Sequence, residues 1–137
     1  MKRAPYLIFL LLLCPMASLA QSQPLAVFTA QQARQGKIFY AQACASCHGP
    51  DLEGASGPAL TGSDFLQSMM DQNRTAASLL AVVTETMPYD AAGNLPDAQF
   101  EDIVAYILSR SGYPAGSEEL SPKNPHLAQL KLGPQSH

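Results

Sequence analysis

Cys44-Ala45-Ser46-Cys47-His48 places two thiols two residues apart and an imidazole immediately after them. The segment falls between two unlike neighbours. Before it, Ala33, Gly36, Tyr40 and Ala43 recur at helical spacing. Thr29 and Gln32 have the spacing of a capping box, which starts that helix near Thr29. Gly36 costs roughly 1 kcal/mol against alanine inside a helix, so its presence calls for another backbone passing close by. After the segment, residues 49–62 are rich in Gly, Pro, Ser and Asp and read as an irregular loop.

Further along, Ser63 or Asp64 can cap a short helix carrying Phe65, Leu66, Met69 and Met70. Thr75 caps another helix through about Thr86, with Leu79, Val82 and Val83 on its apolar side. Pro88 ends it and leaves Met87 in the extended conformation that a following proline favours. Residues 89–96 form a loop that turns at Gly93-Asn94. Phe100, Ile103, Val104, Ile107 and Leu108 then follow the i, i+3, i+4, i+7, i+8 pattern of a buried helical face. Pro96 suits the first turn of that helix, and Asp97, Glu101 and Asp102 sit where its dipole favours negative charge. Arg110 falls in the last turn and Gly112 is a natural stop. Residues 114–137 hold Pro114, Pro122, Pro125 and Pro134; this extended tail either lies across the domain surface or stays mobile. With no two-residue alternation and no internal repeat, the fold class is all-α.

The 137 residues suffice for one domain. Met1-Lys2-Arg3, the apolar run from Tyr6 to Leu13, and Ser18-Leu19-Ala20 make a secretory signal cleaved after Ala20. The run falls short of the roughly 20 residues a bilayer span needs, which argues against an uncleaved anchor. Cys14 raises the question of lipid attachment, but such a site wants a small residue before the cysteine, and Leu13 stands there. Cleavage leaves Cys44 and Cys47 as the remaining cysteines. It also removes Lys2 and Arg3, so six basic residues face eleven acidic ones, a net charge of −5 against −3 for the full sequence. That balance argues against nucleic acid as a partner, because phosphate binding needs clustered Lys and Arg. The expected organisation is a signal peptide (1–20), a lead-in (21–28), the domain (29–113) and a Pro-rich tail (114–137), in a periplasmic protein with no membrane span after cleavage.

In an exported chain, two cysteines this close would close only a tiny disulfide loop. A thioredoxin-like redox pair needs a preceding strand and a βαβ setting, whereas a helix precedes this one. Zinc wants a fourth ligand at useful spacing, and the other histidines, His126 and His137, lie in the Pro-rich tail. Haem attachment uses all three fixed positions of the motif, Cys44, Cys47 and His48. Cys44 and Cys47 each form a thioether with one vinyl group of a single haem c, and His48 offers its imidazole to the iron. For the opposite axial position the mature chain offers Met69, Met70 and Met87. Met69 and Met70 lie in an amphipathic helix and read as packing. His126 lacks a rigid setting. Met87, fixed by Pro88 at a helix end, is the expected second ligand. A thioether favours reduced iron and raises the reduction potential. Filling both axial positions leaves no open site for oxygen or peroxide, so an electron carrier is expected and not an enzyme.

Over roughly residues 30–113 the chain resembles the class I cytochrome c family. The parts stand in that family's order: Gly36 and Tyr40, Cys44-Ala45-Ser46-Cys47-His48, Gly57-Pro58-Ala59-Leu60, Met87-Pro88, and Ile103-Val104-Ala105-Tyr106. The resemblance implies the cytochrome c fold, three to five helices wrapped round one covalently bound haem. It implies that Gly36 and Tyr40 cross Ile103 and Tyr106, with the glycine letting two helices touch. It further implies that the Pro58 carbonyl accepts the Nδ1 hydrogen of His48, fixing the ring, and that Leu60 packs on the haem. A narrower likeness covers Ala105-Tyr106-Ile107-Leu108, Gly112-Tyr113-Pro114-Ala115-Gly116 and Glu118-Glu119-Leu120. These segments are similar to small cytochromes that accompany periplasmic dehydrogenases, often ones using pyrroloquinoline quinone; Pro96 departs from the serine or threonine cap common there. The partners implied are a dehydrogenase as electron donor and an oxidase or another cytochrome as acceptor. Three alternatives stay open. They are a subunit held permanently in an oxidoreductase complex and docked by the tail from Pro114, a haem sensor or enzyme with an open iron position, and a thiol oxidoreductase.

Overall fold

A computed structural model describes residues 25–135. The chain forms five helices: α1 (Ala30–Ala43), α2 (Ala45–His48), α3 (Ser63–Asp71), α4 (Ala76–Thr86) and α5 (Asp97–Arg110). Two isolated bridges, Thr29 with Gly116 and Thr75 with Lys131, accompany them. No described helix is long and apolar enough to cross a membrane. The signal-peptide expectation for residues 1–20 lies outside the described residues.

Local chemistry sets the helix ends. The Thr29 hydroxyl accepts from the Gln32 N–H at 3.2 Å, and Gln32 Oε1 accepts from the Thr29 N–H at 3.2 Å. Thr75 and Ser78 make the same reciprocal pair at the start of α4. The start of α3 departs from the sequence reading. Gly62 is its N-cap, no side chain closes its first turn, and the Ser63 hydroxyl donates instead to Asp64 Oδ1 at 3.2 Å. Helix α4 gives way at Met87, whose φ of −120° and ψ of 153° are the extended geometry required before Pro88. Gly112, at φ +88°, ends α5 in the left-handed conformation a glycine tolerates.

The core is built on the crossing of α1 and α5. A Cβ on Gly36 would collide with the carbonyl oxygen of Asp102 and lie 3.0 Å from the Ile103 nitrogen, so glycine is what lets the two backbones touch. One turn on, Tyr40 packs against Tyr106 with ring centroids 5.5 Å apart and planes tilted by 54°. Phe100, Ile103, Val104, Ile107 and Leu108 are all buried, as their spacing requires. The apolar side of α4 needs a correction. Ala76, Leu79 and Leu80 are buried and Val83 half-buried, while Val82 lies on the surface. The stripe at i, i+3, i+4 and i+7 starts from Ala76, and Val82 falls off it. Met70 is likewise half exposed, whereas Met69 packs on the core.

The tail lies across the domain. Leu120, Leu127 and Leu132 are buried in the same core as α5. The Gln32 side chain clasps the backbone of Leu120, donating from Nε2 to its carbonyl at 2.9 Å and accepting its N–H at 2.8 Å. At the start of α4, the Ala76 and Ala77 N–H groups donate to the carbonyls of Leu130 (2.9 Å) and Leu127 (3.1 Å). These are first-turn donors that a helix leaves without internal partners. The Leu132 N–H donates to the Arg74 carbonyl at 2.9 Å, so the segment from Leu120 to Leu132 straps the front ends of α1 and α4 together.

Candidate functional site

Helix α1 delivers the first cysteine, whose N–H donates to the Tyr40 carbonyl at 2.9 Å. The chain then makes a single further turn, α2. Within it the N–H of His48 donates to the Cys44 carbonyl at 3.0 Å and that of Gly49 to the Ala45 carbonyl at 3.0 Å. This turn sets Cys44, Cys47 and His48 at i, i+3 and i+4, neighbours on one helical face. The two cysteines are free thiols, Cys44 half-buried against the core and Cys47 exposed. Burial, then the neighbouring Cys47, push the Cys44 thiol up to about 11. An attacking thiol in a dithiol redox catalyst needs a lowered value, the opposite of what burial gives Cys44. Among the described residues there is no group of three or more His, Cys, Asp and Glu side chains that could hold a metal ion.

The loop that follows is folded around His48. Its carbonyl accepts the Gly54 N–H at 2.7 Å, and the Cys47 carbonyl accepts the Gly57 N–H at 2.8 Å. His48 is buried, and its ring Nδ1 lies 2.7 Å from the Pro58 carbonyl oxygen. A carbonyl can only accept, so the ring proton sits on Nδ1 and the Nε2 lone pair is left available. Gly57 lies flat against the same ring: a Cβ there would stand 3.0 Å from Cε1 and 3.1 Å from Nδ1. Sequence reasoning gave Gly57 no role of its own; a glycine directly before the proline that orients the ring was the available signal. Tyr40 ties the turn to α1, its hydroxyl donating to the Gly49 carbonyl at 2.6 Å. Burial, with a lesser contribution from Cys44, pushes that hydroxyl well above the usual tyrosine value of 10.0.

Cys44, Cys47, His48 and Pro58 thus come together. Leu60 joins them through the loop, half-buried against the core, its N–H donating to the Leu52 carbonyl at 2.8 Å. Met87 is carried separately at the end of α4, half-buried, its carbonyl accepting the Gly93 N–H at 3.2 Å. His126 lies in the strap at the opposite end of α4, with Nδ1 buried and unpartnered. An eleven-residue helix is about 16 Å long, so His126 and Met87 lie near opposite ends of α4. The donor set fits haem c: two thiols not joined to each other, an imidazole whose proton is held away from Nε2, and a glycine that leaves the ring room. Cys44 and Cys47 could hold the macrocycle covalently and His48 could bind its iron.

Residues 31–107 match the family model for cytochrome C oxidase, cbb3-type, subunit III. Thiosulfate dehydrogenase of Stutzerimonas stutzeri (strain A1501) is 39% identical over 83 residues, covering 55% of this chain and 26% of that protein. Cytochrome c-551 of Bacillus subtilis (strain 168) is 29% identical over 82 residues, covering 60% of this chain and 62% of that protein. The chain therefore spans about a quarter of one relative and about three fifths of the other. The sulfane dehydrogenase SoxCD of Paracoccus pantotrophus shares the fold, with a TM-score of 0.52 and 24% identity, over 80% of this chain and 55% of that one. With more than half its length matched by the family model, the chain belongs to the cytochrome C oxidase, cbb3-type, subunit III family, and is a class I c-type cytochrome whose cofactor is covalently bound haem c.

Proposed function

We propose that this chain is a periplasmic monohaem electron carrier, passing single electrons from a dehydrogenase to an oxidase or another cytochrome. Cys44 and Cys47 form the thioethers, His48 and Met87 are the axial ligands, and Pro58 and Leu60 shape the pocket. The observation that carries the reading is the bond from His48 Nδ1 to the Pro58 carbonyl. A histidine that gives its other ring proton to a backbone carbonyl is held in one tautomer and one orientation, as metal-binding imidazoles usually are. Bound haem supplies a one-electron couple, and a thioether from Met87 opposite the imidazole would favour its reduced form. Burial of Leu120, Leu127 and Leu132 in the chain's own core supports a free carrier over a subunit docked by its tail. A pyrroloquinoline-quinone enzyme is one candidate donor.

The test uses the matured protein. Haem should stay with the polypeptide through acid-acetone extraction, and carbon monoxide should bind the ferrous form sluggishly or not at all. Met87→Ala should abolish the sulfur-to-iron charge-transfer band at the red end of the ferric spectrum. An unaltered band removes Met87 from the site, and rapid carbon monoxide binding by the parent favours an open-site sensor or enzyme.

A further inference from the structure

Charge is segregated along α5. At its start, Asp97, Glu101 and Asp102 gather near Glu119, just before the strap; burial, then the neighbouring carboxylates, raise the Glu101 carboxyl above its usual range, and Lys123 opposes them. At its end, Arg110 joins Arg34 and Lys37 of α1 around a groove of about 360 Å³ floored by Ala30, Ala33 and Tyr106. No carboxylate lines this groove. The remaining cations between residues 25 and 135 are Arg74, Lys123 and Lys131, so half the basic residues of that span meet here, in a chain of net charge −3. Helix rise puts Arg110 about 12 Å along α5 from Asp102. A charge pair of this kind orients an approaching partner before contact.

We propose that the groove docks an acidic segment of a redox protein, with its carboxylates on Arg34, Lys37 and Arg110 and an apolar side chain on the alanine and tyrosine floor. The partner's identity as a redox protein rests on the electron-carrier reading; the contacts do not. A small oxyanion would want convergent donors in an enclosed site, whereas this groove is open and its floor is carbon. Docking here also meets a packed route to the haem turn. Tyr106 lines the groove, Tyr40 packs on Tyr106, and the Tyr40 hydroxyl bonds the carbonyl of Gly49, the residue after His48. One electron leaves the reduced centre and reduces the oxidised one, and no bond forms or breaks.

The experiment titrates the ferrous holoprotein, isotope-labelled for NMR, with a short synthetic peptide of glutamates around a central leucine. Saturable shifts are expected at Arg34, Lys37, Tyr106 and Arg110. The Arg34→Gln/Lys37→Gln variant should bind about tenfold or more weakly, and so should the parent in about 1 M salt, where charges are screened within about 3 Å. Arg110→Gln gives an independent loss from the second helix, and Lys131→Gln on another face should change nothing. The proposal fails if the shifts map to Arg74, Lys123 and Lys131, or if the double variant binds as tightly as the parent. It also fails if sodium sulfate displaces the peptide at equal charge concentration, or if shifts at the groove grow with protein concentration alone, which would make a second copy the occupant. Peptide binding with the expected variant losses, in a protein whose spectrum shows no Met87 ligation, would uphold the groove while sinking the carrier reading.

Discussion

His48 Nδ1 lies 2.7 Å from the carbonyl oxygen of Pro58, ten residues further along the chain. The acceptor belongs to the backbone, so the ring is oriented by the path of the loop and not by the proline side chain. Gly57 then decides whether the loop can come this near, because any Cβ there would press on the imidazole.

Gly57→Ala should therefore be worse than Pro58→Ala. Overpacking against the ring is expected to cost about 1–3 kcal/mol and to add a high-spin fraction to the ferric spectrum. Pro58→Ala keeps the carbonyl and should keep the parent spectrum. Urea titration with parallel visible spectra checks the ranking, and the reverse order would show that proline stiffness matters more than ring clearance.

Gly36→Ala should be more damaging still. The added methyl meets backbone at Asp102, which cannot swing aside as a side chain would. A loss of about 3 kcal/mol or more is expected, and the yield of haem-loaded protein should fall with it. A variant as stable as the parent would mean that the two helices can part at little cost.

Leu127→Ala should destabilise by about 2–5 kcal/mol, the range for a buried leucine. Leu127 is only 2% exposed, and its carbonyl accepts the Ala77 N–H. Thermal unfolding followed by far-UV circular dichroism measures the loss. A change below about 0.5 kcal/mol, typical of surface positions, would show the strap to be loosely held.

Alkali should act through Tyr40. Its hydroxyl titrates above 10.0 in the folded protein because it is buried, while in the unfolded chain it titrates near about 10. Above that value the unfolded state sheds the proton first, so stability is intact below pH about 10 and declines as pH rises past it. Urea midpoints at two pH values, one on each side of this boundary, should fall more for the parent than for Tyr40→Phe. Equal falls would assign the alkaline loss to Tyr113, whose hydroxyl burial also raises.

What the sequence made legible was whatever rests on short-range chemistry. The Thr29–Gln32 capping box, the extended Met87 before Pro88 and the five-residue stripe of α5 depend on neighbours within a turn or two. Gly36 could be read as a close approach because its helix cost needs a reason. The choice of Leu80 over Val82 for burial was not legible, since the unbroken apolar run from Leu79 to Val83 gives no phase until a partner surface fixes it. The packing of Leu120, Leu127 and Leu132 was hidden for a related reason: prolines break the periodicity, and only contacts far along the chain pull those leucines inward. At the site, the Cys44–His48 turn announces itself, whereas the clearance beside the ring at Gly57 emerges only when the loop is folded over it.

The carbonyls of Leu127 and Leu130 complete the first turn of the helix that ends at Met87. Opening the strap would therefore bare the amides of Ala76 and Ala77 to solvent, and their exchange with deuterium would clock events some fifty residues downstream. Helix α4 runs from those amides to its cap at Met87, so their exchange would gauge how firmly the front of that helix is seated.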